Sequence, residues 1–462
     1  MKVLLVKPYN LSDHIQPSLG LGYLASFIRD KHEVEILDCI KDGIKPQDFP
    51  KALKIHEPDI VGIQCYTYDL HNIKKMINLS KGHKGRIKTI IGGPQPSAAP
   101  EETMDFLGEA LDYMFQGEAE IGFRMLIDKL AGKSGISLDD IPGLCRKENG
   151  RALINPRSFV DDIDSLGMPA WDLIKPQTYP EAQHGAFFRK FPIAPIITTR
   201  GCPFSCTFCA GNLISGKKMR KRSVPHIINE MRMLNARFGI MEFHIIDDNF
   251  TLDKAFAKGF LTALKKSGLK ISWAVPNGIR VDTLDDEMLE LMKETGLYLV
   301  SLGIESGSDD VLRRMKKSIT TSSVKKAIKL IRKHRIDVAG FFILGFPGET
   351  KEDIERTIRF SCELDLIRAN FFTYLPFPGT ESYIELRESG QLKGVNNERF
   401  YFMNAAFVPR GLDKNTLKRL QRKAFLKFFM RPKILLYNIA QIKSFRHFKF
   451  LLRRFFRWMF IK

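Results

Sequence analysis

Thr198-Thr-Arg-Gly-Cys-Pro-Phe-Ser-Cys-Thr-Phe-Cys-Ala-Gly211 sets Cys202, Cys206 and Cys209 in a C-x3-C-x2-C array. Three cysteines this close together can point at one centre. The thiolate is the form that binds soft metals, and clustered thiolates select zinc or an iron–sulfur cluster. A closed zinc site wants a fourth Cys or His at short spacing. None follows here: the next His is His226 and the next Cys is Cys362. Three thiolates on a four-iron cluster leave one iron open, and an open iron can hold a substrate. The competing readings are three buried core cysteines, which the tight spacing opposes, and a structural zinc site that recruits a distant ligand.

Around the array an α/β series begins. Candidate strands cover residues 196–199, 243–246, 271–274, 297–303, 338–344 and 371–375, with helical patterns between them, as at 255–266 and 323–334. The strand ends carry polar or glycine-rich motifs in order: Asp247-Asp-Asn-Phe250, Asn277-Gly-Ile-Arg280, Gly303-Ile-Glu-Ser-Gly-Ser308, Gly345-Phe-Pro-Gly-Glu349 and Pro376-Phe-Pro-Gly-Thr380. In barrels of this kind catalytic groups lie at the carboxyl ends of the strands. The Gly345 motif lacks the Gly-Lys-Ser/Thr ending of a nucleotide phosphate loop.

The cysteine array and the ordered strand-end motifs resemble the radical S-adenosylmethionine (radical SAM) superfamily. The resemblance implies a partial (β/α)6 barrel in which Cys202, Cys206 and Cys209 hold a 4Fe–4S cluster. SAM would chelate the fourth iron and be cleaved reductively to a 5′-deoxyadenosyl radical. Phe208 would pack near the adenine, and Glu305 and Ser306 would hold SAM through its ribose or amino group. Arg280 would meet the methionine carboxylate, since a guanidinium suits bidentate carboxylate binding. Asn249 is a further candidate for SAM. Against these stand a fold-stabilising ion pair for Arg280 and helix N-caps for Ser306 or Ser308.

Residues 1–150 form a separate α/β series. Val3-Leu-Leu-Val6 reads as a short buried strand, and 34–38, 59–64, 88–93 and 111–115 as four more, with helical stretches between. Such alternation predicts an open parallel sheet of Rossmann or flavodoxin type. Ligands bind beyond the carboxyl ends of its strands. Loop glycines there let backbone approach a large ligand. The run Pro17-Ser-Leu-Gly-Leu-Gly-Tyr-Leu-Ala25, Asp59-Ile-Val-Gly-Ile63, Gly92-Gly-Pro-Gln-Pro-Ser97, Gly117-Glu-Ala-Glu120 resembles the cobalamin-binding domain that precedes many radical SAM domains. The resemblance makes Pro8, Gly20, Thr67, Gly92, Gly93, Ser97, Gly117 and Glu118 the expected cobalamin contacts. The Asp-x-His-x-x-Gly motif of other cobalamin proteins is missing: Asp13 and His14 are adjacent, and no Gly follows Asp69-Leu-His71. No protein histidine on cobalt is expected, and His14 and His71 read as loop or surface residues.

The expected domains are 1–150 for cobalamin, a linker at 151–190 around Pro169-Ala-Trp-Asp-Leu173, the radical SAM domain at 191–395 and a basic helical region at 396–462. The chain of 462 residues is 44% hydrophobic and carries a net charge of +20. From Tyr401 to Lys462 there are 16 Lys and Arg against one acid, Asp413, so this tail holds +15 of that excess. The remainder is nearly balanced, and no nucleic-acid-binding charge is needed outside the tail. Asp413 is a plausible cap for a helix at 414–430, where Leu417, Leu420, Ala424 and Phe428 recur at helical spacing. A second stretch places Phe445, Phe448, Leu452, Phe455 and Met459 on one side, among basic residues and Trp458. Such a helix suits an anionic membrane surface, with docking on the barrel or contact with RNA as alternatives. The four cysteines outside the array are scattered like reduced thiols, and no run reaches the ~18 apolar residues of a membrane span. The expected location is cytoplasmic, with the tail in contact with the inner membrane face.

The function these features imply is a cobalamin-dependent radical SAM enzyme that methylates an unactivated carbon of a hydrophobic or lipid-like substrate, supplied with electrons by a flavodoxin or ferredoxin. Relatives with this architecture also close rings oxidatively or rearrange carbon skeletons. A tRNA methylthiotransferase would carry three further cluster cysteines in the first domain. Cys39, Cys65 and Cys145 are too widely spaced for that. An iron–sulfur electron carrier would close its cluster with a fourth cysteine.

Overall fold

Four apolar residues in a row, Val3 to Val6, make the strand β1 (Lys2–Lys7) and are all fully buried, as the centre of a parallel sheet requires. Leu4 and Val6 pack on one face of that sheet and Val3 and Leu5 on the other. In this computed structural model the described residues are 1–10, 15–181, 183, 188–396, 400–401, 404–442, 444–445, 448–449 and 451–452. Beside β1 stand β2 (Glu33–Asp38), β3 (Ile60–Gln64), β4 (Lys88–Gly92) and β5 (Tyr113–Phe115), all parallel. A hairpin of β6 (Leu144–Glu148) and β7 (Arg151–Ile154) adds two antiparallel strands, giving the order β2-β1-β3-β4-β5-β6-β7. The strand order reverses between β1 and β3, and a ligand crevice opens at that switch point. The sheet therefore runs to Ile154, past the boundary expected at residue 150. The hairpin was not read from sequence because its strands are short and mixed in polarity.

The second sheet contains β8 (Ile193–Ile196), β11 (Glu242–Ile245), β12 (Ser272–Ile279), β13 (Leu297–Glu305), β14 (Asp337–Leu344) and β15 (Arg368–Thr373), all parallel in the order β15-β14-β13-β12-β11-β8. This is the six-stranded partial barrel the sequence predicts. The strand β12 runs five residues further than expected, through Pro276 and Gly278, with a register shift between Val275 and Ile279 against β13. Two short antiparallel strands, β9 (Thr199–Arg200) and β10 (Arg220–Lys221), form a separate ribbon that brackets the cysteine loop.

The linker docks on both domains. Gly22, on the helix Leu19–Ile28, leaves room for it: a Cβ there would lie 2.5 Å from Ile174 Cδ1. Ala170 N donates to Gly22 O at 3.0 Å, and the Trp171 indole donates to Glu230 Oε1 at 2.7 Å. The helix Lys414–Phe429 is capped by Asp413, which accepts from Asn415 N and Thr416 N. Its Leu417, Leu420, Ala424 and Phe428 join the barrel core, so this stretch docks on the barrel and is not available to a membrane. A second helix, Pro432–Ala440, follows. Most of the later basic residues expected on an amphipathic helix, with Phe455, Trp458 and Met459, lie outside the described residues, as do Asp13 and His14.

Candidate functional site

The cysteine loop runs from Gly201 to Gly216. Gly201 has φ +91°, and a Cβ there would lie 2.3 Å from Lys218 O, so only glycine fits. The backbone turns back on itself where Cys209 N donates to Cys206 O at 3.1 Å, and Cys202 N donates to Gly216 O at 3.2 Å. Cys202 and Cys206 are half-buried and Cys209 is exposed, and all three are free thiols. Burial raises the pKa of Cys202 and Cys206, although the charges of Arg280 and Lys317 work the other way. Metal binding must therefore displace these protons. Among the described residues no three His, Cys, Asp or Glu side chains converge on a single ion.

Lys317 is the cation the motif reading missed. Its Nζ lies 2.7 Å from Glu305 Oε1, and it stands 5.9 Å from the Phe208 ring centroid. Burial disfavours the ammonium, but Glu305 outweighs it and the Lys317 pKa is raised. A Cβ on Gly303 would come within 2.7 Å of both partners, so a larger residue there would push the two side-chain ends aside. Glu305 itself has φ +64°, a strained backbone for a non-glycine residue and one found at ligand sites.

Arg280 does not offer its fork to a ligand. Its Nε and Nη2 bind the two oxygens of Asp282 at 3.0 and 2.7 Å, Nη1 donates to Lys317 O at 2.9 Å, and its guanidinium stacks 3.7 Å from the Phe204 ring centroid. Through Phe204 it ties the cysteine loop to the end of β12. Ser306 is likewise committed: it is fully buried, its hydroxyl meets Thr357 Oγ1 at 3.1 Å and accepts from Ser308 N at 3.2 Å. Ser308 is the N-cap residue of the helix Asp309–Arg314, though its side chain makes no cap bond. Asn249 is the opposite case. It is 2% exposed, and neither end of its amide has a hydrogen-bond partner. A buried amide costs free energy unless something satisfies it, so Asn249 calls for a ligand. Thr207 Oγ1, between the second and third cysteines, is also buried and unsatisfied.

One cleft lies between the carboxyl ends of both sheets. Gly20, Gly92, Gly93, Gly117 and Glu118 line it from the first sheet, and Thr199, Arg200, Asp247 and Asp248 from the second. A Cβ on Gly20 would enter open space, while one on Gly93 would meet Cys65 O at 3.1 Å. Pro8 and Thr67 are buried beside the cleft without lining it. Ser97 is fully buried: its hydroxyl donates to Gly93 O and accepts from Gly117 N, both at 2.8 Å, and so ties two glycine loops together. Glu118 is held by arginines of the second domain, Arg220 at 2.6 and 2.8 Å and Arg200 at 3.2 Å. Its carboxylate is thus not free for a cobalamin amide.

Asp247 and Asp248 open the strand-end motif that follows β11. Asp247 is buried and accepts from Thr198 N at 2.7 Å and Thr199 Oγ1 at 2.8 Å, and burial pushes its pKa up to about 6. Asp248 opens into the cleft beside the cysteine loop, where a Cβ on Gly211 would lie 3.4 Å from Cys209 Sγ and 3.8 Å from Asp248 Oδ1. Their pairing is visible in the sequence, but their direction is not.

The radical SAM superfamily profile matches residues 196–361, and the B12 binding domain profile matches residues 12–127. The chain is 34% identical, over 99% of its length and 97% of the other's, to an uncharacterised methyltransferase of Pyrococcus horikoshii. The chain belongs to the cobalamin-dependent radical SAM methyltransferase family. The chain is also 30% identical to the cytidylyl-2-hydroxyethylphosphonate methyltransferase of Streptomyces wedmorensis, over 84% of this chain and 82% of that one. In fold it is similar to the radical SAM methyltransferase TsrM of Kitasatospora setae, solved with cobalamin and a [4Fe-4S] cluster, with a TM-score of 0.69 and 19% identity over 90% of this chain and 84% of that one. The cofactors of this methyltransferase are a 4Fe–4S cluster, SAM and cobalamin. The free thiols, the unsatisfied Asn249 amide and the glycine-edged cleft fit that set. No helix among the described residues is long and apolar enough to cross a membrane.

Proposed function

We propose that this protein methylates an unactivated carbon of a small, largely apolar molecule held between the cysteine loop and the cleft. The observation that carries the reading is the shared cleft, where the ligand faces of both sheets meet. In this reading Cys202, Cys206 and Cys209 hold the cluster, while Asn249, Glu305 with Lys317, and Phe208 surround SAM. Gly20, Gly92, Gly93 and Gly117 give cobalamin its backbone-lined bed. When bound, these groups supply radical generation and methyl transfer, chemistry that side chains cannot perform alone. The protein's part is to orient the reactants and exclude water.

The barrel interior supports an apolar substrate. Along β14 and β15, Phe342 and Phe371 face the helix Lys414–Phe429, where Phe371 meets Phe428. Strand alternation turns Phe341, Ile343 and Phe372 to the other side, and all three remain part-exposed. Phe341 and Phe372 lie 5.9 Å apart by ring centroids. A flavodoxin or ferredoxin is the proposed electron donor.

The tail is the proposed peripheral membrane contact. The helix Pro432–Ala440 packs through Ile434 and leaves Leu435, Leu436 and Ile439 exposed among the tail's basic residues. Tyr437 OH donates to Asp337 Oδ2 at 2.7 Å, at the start of β14. This helix therefore lies at the barrel floor, opposite the strand ends that face the cleft. A membrane bound there would leave the barrel mouth turned away from it.

Anaerobic reconstitution with iron, sulfide and hydroxocobalamin tests the assignment. After desalting, the wild type should retain about four irons and one cobalamin per chain. Cys202→Ala should lose the cluster and keep the cobalamin. Cluster uptake without cobalamin would sink the methyltransferase reading for this chain.

A further inference from the structure

Four charged side chains join the two domains at the foot of the cysteine loop. Glu118, on the glycine loop after β5, is bound by both nitrogens of the Arg220 fork at 2.6 and 2.8 Å and by Arg200 at 3.2 Å. Arg200 also reaches Glu120 at 2.9 Å. All four side chains are at most 10% exposed. Two positive and two negative charges balance there, so each depends on the others for its burial.

The placement of the arginines matters more than their number. Arg200 immediately precedes Gly201 and Cys202. Arg220 donates to Ser215 O at 2.6 Å, and so grips the loop at its far end. The ribbon partners Arg200 and Arg220 lie directly opposite each other across β9 and β10. One carboxylate from the cobalamin domain thus holds both ends of the loop that carries the cluster cysteines. On the ligand side, Glu118 follows Gly117, whose amide is pinned by Ser97 and which edges the cleft.

We propose that Glu118 is a positioning residue that couples the two cofactor sites: it transmits order from the cobalamin bed to the cysteine loop, and from the loop back to the bed. A ligand that settles the Gly117–Glu118 backbone fixes the carboxylate, which fixes both arginines and with them both ends of the loop. Such coupling is reciprocal: if cobalamin orders the cluster loop, an assembled cluster must tighten cobalamin binding by the same factor. The inference rests on cobalamin occupying the cleft.

The test is a binding cycle that needs no substrate. Hydroxocobalamin affinity is measured on cluster-free and cluster-reconstituted protein, for the wild type and for Glu118→Gln. In the wild type the cluster should tighten binding about fivefold or more, within the usual range of coupling between sites. In Glu118→Gln the cluster-free affinity should equal that of the wild type, and the gain should vanish. Amide exchange gives the structural readout: hydroxocobalamin should slow exchange at residues 200–216 in the wild type, and in the variant only at the glycine loops. Arg220→Lys, which keeps the charge but not the fork, should lose most of the coupling, and it carries the test if Glu118→Gln does not fold. An equal gain in wild type and variants would overturn the proposal. A fall in cluster-free affinity in Glu118→Gln would overturn it too, by making Glu118 a direct cobalamin contact. Wild-type protein that takes up no hydroxocobalamin would overturn the cofactor assignment itself, and this coupling with it.

Discussion

Asp69 shows how much one buried carboxyl can weigh. It is 1% exposed, Asn10 Nδ2 donates to its Oδ1 at 3.1 Å, and its Oδ2 has no partner. Burial pushes its pKa from 3.8 up to about 7, against the opposing pull of Asn10 and Lys7. The fold thus favours the protonated form. Its contribution to stability is full below about pH 3.8 and is lost as pH rises through about 7. Asp69→Asn keeps the acceptor for Asn10 and removes the titration. Its stability relative to wild type should rise by about 1 kcal/mol between roughly pH 6 and pH 8, read by denaturant unfolding at each pH. A flat difference across that range would show that Asp69 does not titrate there. At the same scale, the buried Lys317–Glu305 pair near the cysteines was not legible in the sequence. Arg280 is engaged by Asp282, two residues away, and Lys317 by Glu305, twelve residues away, and no motif announces either pairing.

At the scale of elements, the helix Lys414–Phe429 is part of the barrel despite its charge. Phe428 is fully buried and meets Phe371 at a centroid distance of 6.1 Å. Phe428→Ala should cost about 3–5 kcal/mol, the usual range for a buried aromatic, and should lower the thermal midpoint of the barrel. An unchanged midpoint would mean that the helix is only loosely attached. The sequence showed the apolar spacing and the Asp413 cap correctly. It could not show which surface the apolar face meets, because a membrane and the outside of a barrel present the same chemistry to an amphipathic helix.

At the scale of the molecule, the proposed membrane contact and the catalytic cleft lie at opposite ends of the barrel. Liposome co-sedimentation of the full chain and of protein ending at Met430 should separate them, since that truncation removes the exposed apolar face of the helix Pro432–Ala440 and leaves the docked helix Lys414–Phe429 in place. Vesicles rich in anionic lipid should pellet the full chain several-fold more than the truncated one, and added salt should weaken the difference. Equal pelleting would remove the membrane reading and leave the cofactor sites untouched. The two domains themselves are joined by the linker and by the Glu118 charge cluster, contacts that cross about a hundred residues of chain.

The sequence by itself determined the cofactor chemistry and the two-sheet architecture. The cysteine spacing, the glycine loops and the order of strand-end motifs are local patterns, and local patterns are written along the chain. Only the tertiary structure decided which side chains remain free for ligands. Asn249 stays available in the site, where Lys317 stands paired with Glu305. Arg280, Ser306, Ser97 and Glu118 are taken by partners that folding brings to them. The physical reason is that a polar group's role depends on whether its hydrogen bonds are already made, and that is settled by side-chain direction and by distant partners such as Thr357 for Ser306 and Arg220 for Glu118.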